Sequence, residues 1–516
     1  MKIQNLTIGT IDHRPLLNGL DIQFYENNIS KLKINTLIGI NGSGKSQVLE
    51  TIADIFLWVD CFYRTENIET TYKNAILPFT FEILYSIEIS KKNYSVKISN
   101  DKVTKKVPIP LVEVYDEKDN VIVVNHESIK NYLPEKVVGY SSGENETIST
   151  PFYLYYDDYA EYTGKRANPE NVELVDYEPK FYFMNYSTNL GIAISNLIFD
   201  DVDGINEIKD TLNIKRIKSF QLIIQTKQTG APSGEVKLTT ELIECRNFLF
   251  KSATCYSYDQ TNESYILDFY NNKATIEALK YFFKTSYSFY TAIYKLELLN
   301  NLMISKNVRE DIKRKRKKRK LETKMPTVPD RDKVLHYSEL KLELNNNQIV
   351  DYLSLSDGEH QFMNIFGTIL MVNQDNSLFL LDEPETHFNP QWRRLFIHHL
   401  NNIAGLRSQE IFITSHSPFI VSDSKRESVY IFKRESRDII SVNPPRQETF
   451  GASFDHILKM AFNLDDTLSK DASDLIKELR NEDNPQTIED KLNELGDSPL
   501  LMALYSRIDM LKNRSK

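Results

Sequence analysis

The sequence predicts an α/β protein, and three patterns in its 516 residues carry that reading. An apolar strand at Thr36–Ile38 runs into a glycine-rich turn and then into helical periodicity from about Gln47 to Phe62. From Asp357 onward, apolar strands at Leu378–Leu381, Ile411–Thr414 and Val429–Phe432 alternate with helical stretches, as in a parallel sheet. Between Leu77 and Val138 the pattern changes to period two (FTFEILYSIEI, NYSVKISN, LVEVYDEKDNVIVV), which predicts antiparallel sheet with one wet face.

The remaining elements follow from the same periodicities. From Ala274 to about Lys320 the apolar residues Ile276, Leu279, Phe283, Tyr287, Tyr290, Tyr294, Leu298 and Met303 recur mostly every three or four positions, which predicts a helical arm. It ends in Lys313, Arg314, Lys315, Arg316, Lys317, Lys318, Arg319 and Lys320, an unbroken basic run. Pro326 and Pro329 interrupt it, and LHYSELKLEL and QIVDYLSL then read as a strand pair around an Asn turn. From about Ala452 the chain reads as helical and polar.

Composition narrows the class. Hydrophobic residues make up 41% and charged residues 26%, the balance of an ordinary globular chain with a sizeable core. No apolar run approaches the ~18 residues of a spanning helix, and the N-terminus lacks a cleavable apolar stretch. Cys61, Cys245 and Cys255 lie far apart and read as reduced thiols, which predicts a cytoplasmic protein. With 63 Lys and Arg against 72 Asp and Glu the net charge is −9, so any polyanion must meet a local basic patch.

Four motifs carry chemistry. Gly39-Ile-Asn-Gly-Ser-Gly-Lys-Ser46 fits G-x-x-x-x-G-K-[ST], strand before and helix after. Its glycines let the backbone turn N–H groups onto phosphate oxygens, Lys45 supplies a cation, and the Ser46 hydroxyl can ligate Mg²⁺. Asn41, Gly42, Ser43, Gly44, Lys45, Ser46 and Gln47 are therefore the predicted phosphate-binding residues. Leu378–Glu383 is an apolar strand ending in two acids at the carboxyl edge of a sheet, which places Asp382 for Mg²⁺ and Glu383 for polarising water. Leu355-Ser-Asp-Gly-Glu359 opens an apolar helix; it reads as a capping box between Ser356 and Glu359, and equally as an anion site. Ile411–Pro418 is a strand ending in a polar turn that holds His416.

In this order the motifs resemble the Walker A, signature, Walker B and switch-histidine segments of ATP-binding-cassette-type ATPases. DEPETHFNP and ITSHSP resemble a narrower branch: the RecF, structural-maintenance-of-chromosomes (SMC) and OLD (overcoming lysogenization defect) ATPases, and the AAA-labelled ATPases that accompany restriction and phage-defence systems such as Septu. The resemblance covers roughly 1–60 and 330–430. It implies a discontinuous P-loop ABC-type head with ATP and Mg²⁺ as cofactors: Lys45 and Ser46 on phosphate and metal, Asp382 on the metal, Glu383 as general base, and His416 at the γ-phosphate. Ser356 and Gly358 would complete the site of a second protomer, and Asn389 would lie in the D-loop. Asp357 stands where the signature has its first glycine, which would slow turnover or make it partner-dependent. His13 or Arg14 would stack on adenine, and Ser141, Ser142 or Asn145 would stand in for the Q-loop.

The implied organisation is a head from 1–60 and 331–440, an inserted β-rich lobe at 61–272, a helical arm at 273–330 and a helical segment at 441–516. The implied function is an ATPase acting as sensor or motor of an anti-phage defence system, dimerising through its heads and serving a separately encoded nuclease or toxin, away from membranes. The alternatives are a chromosome-associated ATPase that clamps DNA, and a nucleotide-gated scaffold. The basic run reads either as a solvated tail or as a DNA or RNA phosphate contact at the arm's tip.

Overall fold

Seven short strands, most of them apolar throughout, form the centre of the protein, because strands buried on both faces have no polar side to alternate. The computed structural model describes residues 1–25, 31–64, 77, 79–100, 109–142, 148–171, 176–200, 202–227, 234–261, 263–317, 326–435, 439–462, 464, 468–498 and 500–514. In chain order the central strands are β1 (Lys33–Gly39), β2 (Val137–Ser141), β3 (Phe181–Met184), β4 (Leu378–Asp382), β5 (Glu410–Ser415), β6 (Val429–Arg434) and β7 (Ile440–Asn443). Their order across the sheet is β7-β6-β1-β5-β4-β2-β3, all parallel except the β6–β7 hairpin. The helices used below are α1 (Lys45–Tyr63), α2 (Thr150–Arg166), α3 (Tyr186–Ile198), α4 (Ser286–Leu298), α5 (Lys306–Lys317), α6 (Asp357–Met371) and α7 (Pro390–Ala404). The fold is α/β, with the glycine loop joining β1 to α1 in the phosphate-loop arrangement.

Helix α1 is apolar on almost every side and buried along nearly its whole length, as its composition requires. One side lies against β1, β4 and β5. The other meets a six-stranded antiparallel sheet, where Trp58 packs edge-on to Phe81 and Phe56 edge-on to Tyr85. That second sheet runs in the order 21–23, 2–11, 79–89, 92–100, 110–115, 121–122 and contains the period-two stretch. A third sheet, also antiparallel, orders 255–259, 264–270, 214–224, 335–344 and 349–351.

The boundaries drawn from sequence shift accordingly. Strands β2 and β3 lie within 61–272 yet complete the central sheet beside β4. Strand 335–344, assigned to the head, pairs with 214–224 instead. Among the described residues of 273–330 the arm is not one continuous helix: Lys284, at φ +63°, ends one helix, and α4 is buried, with Phe289, Ile293 and Leu296 fully enclosed. Aromatic and aliphatic residues on most faces of α4 bury it among its neighbours, with Ser288 left exposed. By chain contacts the molecule divides into Met1–Phe450 and Gly451–Lys516. The second unit is helical (Phe454–Phe462, Lys470–Asn481, Pro485–Leu492, Leu501–Arg514) around its own core of Ile476, Leu479, Ile488, Leu501, Leu504 and Ile508. Among the described residues no helix is long and apolar enough to cross a membrane.

A helix enclosed by two sheets must pair the charges it carries. Arg14 is buried beneath α1, 2.5 Å from Glu50 and 2.8 Å from Asp54, and donates to Thr51 Oγ1. It therefore anchors α1 and is not available to stack on adenine. Farther along, Asp60 pairs with Arg64, whose guanidinium lies 5.0 Å over both the Tyr155 and Tyr177 rings. Arg14→Met removes the guanidinium shared by two buried carboxylates and is expected to lower stability by about 3–5 kcal/mol. Urea unfolding checks this; an unchanged midpoint would show that the carboxylates find other partners.

Candidate nucleotide site

The carboxyl ends of β1, β4 and β5 bring three of the four motifs to one place. After β1 the chain enters the loop with Gly39 at φ +149°, where a Cβ would lie 2.3 Å from the Phe432 carbonyl oxygen. Gly44, at φ +91°, caps the start of α1. Both positions exclude side chains, one by contact and the other by conformation. The loop thus turns tightly enough to present the first N–H groups of a 19-residue helix, an anion site by geometry and dipole. The Ser43 hydroxyl and Gln47 Oε1 are buried in this region and make no hydrogen bond with another described residue.

Lys45 is folded over the loop. Its Nζ donates to the carbonyl oxygens of Gly39 (2.9 Å) and Ile40 (3.2 Å) and lies 3.1 Å from His416 Nε2. Burial lowers its pKa to about 8, against the pull of Glu383 and Asp382, so the ammonium is charged at neutral pH.

Asp382 closes β4. Its Oδ1 accepts from Ser46 Oγ (2.7 Å) and from Thr414 Oγ1 (2.6 Å), and Ser141 Oγ stands 3.5 Å from Oδ2. Burial raises its pKa while the two hydroxyls oppose the rise. A hydroxyl and a carboxylate side by side are the hard oxygen donors that Mg²⁺ takes, the remaining positions belonging to phosphate and water. Among the described residues no group of three His, Cys, Asp or Glu side chains could hold a metal alone.

Glu383 sits at φ +50°, a strained backbone for a residue with a side chain. Its N–H holds it there by donating to Thr414 O (3.1 Å) and Oγ1 (3.0 Å). The side chain turns back toward the loop, with Oε1 3.3 Å from His416 Nε2. That contact lowers its pKa, leaving a half-buried carboxylate next to an imidazole and an ammonium. His416 Nε2 is thus within reach of both Lys45 and Glu383.

The loop after Glu383 is fastened from several sides. Arg393 of α7 donates to the carbonyls of Glu385 (3.2 Å) and Thr386 (2.9 Å). The Ser142 N–H donates to Asp382 O (3.1 Å), and Thr386 Oγ1 lies 3.0 Å from Ser142 Oγ. Glu385 is buried and accepts from Ser415 Oγ, which in turn accepts from the Ser417 N–H (2.9 Å). This clamp links the β4 loop to the turn bearing His416. Burial pushes the Glu385 carboxyl up to about 7.

Other predicted residues fall elsewhere. Ser356 caps α6 and forms the capping box with Glu359, so both the cap and an exposed helix start exist at this place. Asp357 is exposed in the first turn, and Gly358 is buried against the His387 carbonyl. Asn389 accepts from the Trp392 N–H and caps α7. Ser141 and Ser142 reach Asp382 as described, whereas Asn145 lies outside the described residues. His13 sits 6.2 Å from the Phe79 ring.

The basic run divides. Lys313 is buried against Asp158, with Glu161 4.0 Å away and paired to Arg309, so Lys313 serves an internal ion pair instead of a polyanion. Arg314 is exposed and Lys315 half-buried, and both pair with Asp311. Arg316 and Lys317 belong to the α5 backbone, and Lys318, Arg319 and Lys320 lie outside the described residues. Sequence reasoning missed Thr414, Gln361, Glu385 and Arg434, whose guanidinium lies 3.9 Å from where a Cβ on Gly42 would stand. Thr414 and Glu385 lie inside the quoted motifs, where a polar residue next to each strand end was the signal, whereas Gln361 lies one turn into α6 and has no local signal.

Residues 231–422, well under half of the chain, match the family model described as "AAA domain, putative AbiEii toxin, Type IV TA system". Protein ea59 of Escherichia phage lambda is 28% identical over 117 residues, 23% of this chain and 22% of that protein, so the match spans about a fifth of the relative's length. Among solved structures, the SMC head domain from Thermotoga maritima aligns with 87% of this chain and 100% of its own, at 10% identity and a TM-score of 0.34. The Pyrococcus furiosus Smc head domain, solved with an extended coiled coil and bound to the C-terminal domain of ScpA, covers 86% and 96%, at 12% identity and a TM-score of 0.31.

The raised Glu385 carboxyl has a consequence for stability. Between the unfolded value of about 4.3 and about 7, the folded protein holds a proton that the unfolded chain has released. Stability therefore falls as pH rises through that window, and the loss is complete above it. Glu385→Gln keeps an acceptor for Ser415 and removes the titration. It should match the wild type near pH 4.5 and exceed it by up to about 3 kcal/mol at pH 8. Thermal melts at both pH values check this, and an equal difference at both would contradict it.

Proposed function

We propose that this chain binds ATP with Mg²⁺ and hydrolyses it at the junction of β1, β4 and β5. The supporting observation is the convergence of Ser46 with Asp382 and of Lys45 with His416 and Glu383, from segments more than 300 residues apart. The N–H groups of Asn41–Ser46 and the Lys45 ammonium would hold the β- and γ-phosphates. Ser46 and Asp382 would hold Mg²⁺, which supplies charge neutralisation on those phosphates. Glu383, already a carboxylate, would accept a proton from the attacking water, and His416 would donate to the γ-phosphate.

The exposed start of α6 supports a second step. Ser356 and Asp357 are exposed at the first turn of α6, and Ser356 bonds within its own capping box, so this helix start is open to a partner copy's nucleotide. Two heads would enclose two nucleotides, with Asp357 tempering turnover at each. Our reading of the cellular role is a sensor or motor of an anti-phage system with a separately encoded nuclease or toxin as effector. The matched family model, described as a putative toxin of a toxin–antitoxin system, supports the defence setting of this reading, and the separate effector rests on the absence of a recognised effector motif in this sequence.

Lys45→Ala is expected to abolish ATP binding. Glu383→Gln should retain binding and lose turnover by about 10²–10⁴-fold, as measured by fluorescent-nucleotide titration and phosphate release. A Glu383→Gln enzyme as fast as the wild type would remove the general-base assignment. In cells carrying the neighbouring genes, phage protection should disappear with Lys45→Ala; protection that persists would remove the defence role.

A further inference from the structure

Gln361, one turn into α6, is buried and has both ends of its amide engaged across three segments. Nε2 donates to Tyr140 Oη (2.7 Å) at the end of β2, and Oε1 accepts from the His387 N–H (3.1 Å) in the loop after β4. Just before it, Gly358 packs so closely on the same residue that a Cβ would lie 2.8 Å from the His387 carbonyl oxygen. The start of α6 therefore rests on the loop Glu383–His387 through one directional pair and one close contact.

Each partner of Gln361 leads to the catalytic carboxylates. Tyr140 precedes Ser141, whose hydroxyl faces Asp382, and Ser142, whose N–H holds the Asp382 carbonyl. His387 follows Thr386, whose hydroxyl lies 2.8 Å from the Glu383 carbonyl oxygen. At the far end of that short chain stands Glu383, strained at φ +50°. Strain of this kind persists only where the surroundings hold it, so the contacts on its loop set where the carboxylate points.

We infer that Gln361 is a positioning residue that couples the start of α6 to Glu383. Engagement of that helix start by a second copy's nucleotide sets the general base through the His387 bond. This inference rests on the ATPase reading above and adds the element that makes turnover depend on the partner head. An apolar residue would fill the same space; a buried amide with both ends paired fixes the distance between helix, strand and loop.

The test compares full-length wild type, Gln361→Met, Tyr140→Phe and Lys45→Ala, measuring kcat, KM, fluorescent-ATP affinity and the dependence of turnover on protein concentration. Gln361→Met keeps the volume and cuts both bonds. It should lower kcat about tenfold, leave KM and nucleotide affinity within about twofold, and flatten the concentration dependence. Tyr140→Phe cuts only the strand-side bond and should lower kcat less; it carries the test where Gln361→Met does not fold. A variant with wild-type kcat, or one that loses affinity in step with kcat, overturns the coupling. If wild type hydrolyses ATP and Lys45→Ala does not, that failure belongs to the coupling alone. A wild type without turnover overturns the ATPase reading and the coupling together.

Discussion

A carboxylate buried at the end of a strand cannot stand alone, and Asp382 is such a group. Its desolvation is offset by hydroxyls from two other segments, Ser46 at the start of α1 and Thr414 at the end of β5. Those bonds require β1, β5 and β4 to lie side by side in parallel register, and that register sets the order of the central sheet. With the sheet so arranged, the phosphate loop, the acid pair and His416 face one another without further adjustment.

The same constraint propagates outward. Because α1 starts at the loop and runs between two sheets, its acids are far from water, and Arg14 and Arg64 must pair with them. On the other side of the site, the loop after β4 carries a residue in a strained conformation. It is fastened by Arg393 of α7, Ser142 just after β2, Glu385 of the loop itself and Gln361 of α6. Many fastenings around one strained residue fix where its carboxylate points, as the general-base role proposed for Glu383 requires.

The phosphate loop, the Asp382–Glu383 pair and His416 were legible in sequence because their chemistry demands particular residue types at short spacing. Long-range pairing leaves no such local mark. Val137 and Val138 continue a period-two stretch by composition, yet they belong to β2 and pair with β4 some 240 residues later. The adenine-stacking expectation for Arg14 failed because its pairing with Glu50 and Asp54 is long-range and becomes buried only once both sides of α1 are covered. Lys313 was hidden in a uniform basic run, although its position on α5 turns it inward to Asp158. Gln361 carries no signal by itself, since its role depends on two partners from other strands' ends.

The most direct measurement is a structure of Glu383→Gln with ATP and Mg²⁺. The account predicts triphosphate in the Gly39–Ser46 loop, Mg²⁺ touching Ser46 and Asp382, and the start of a second copy's α6 against the γ-phosphate. Nucleotide bound away from that loop, or Mg²⁺ held without Asp382, would contradict it.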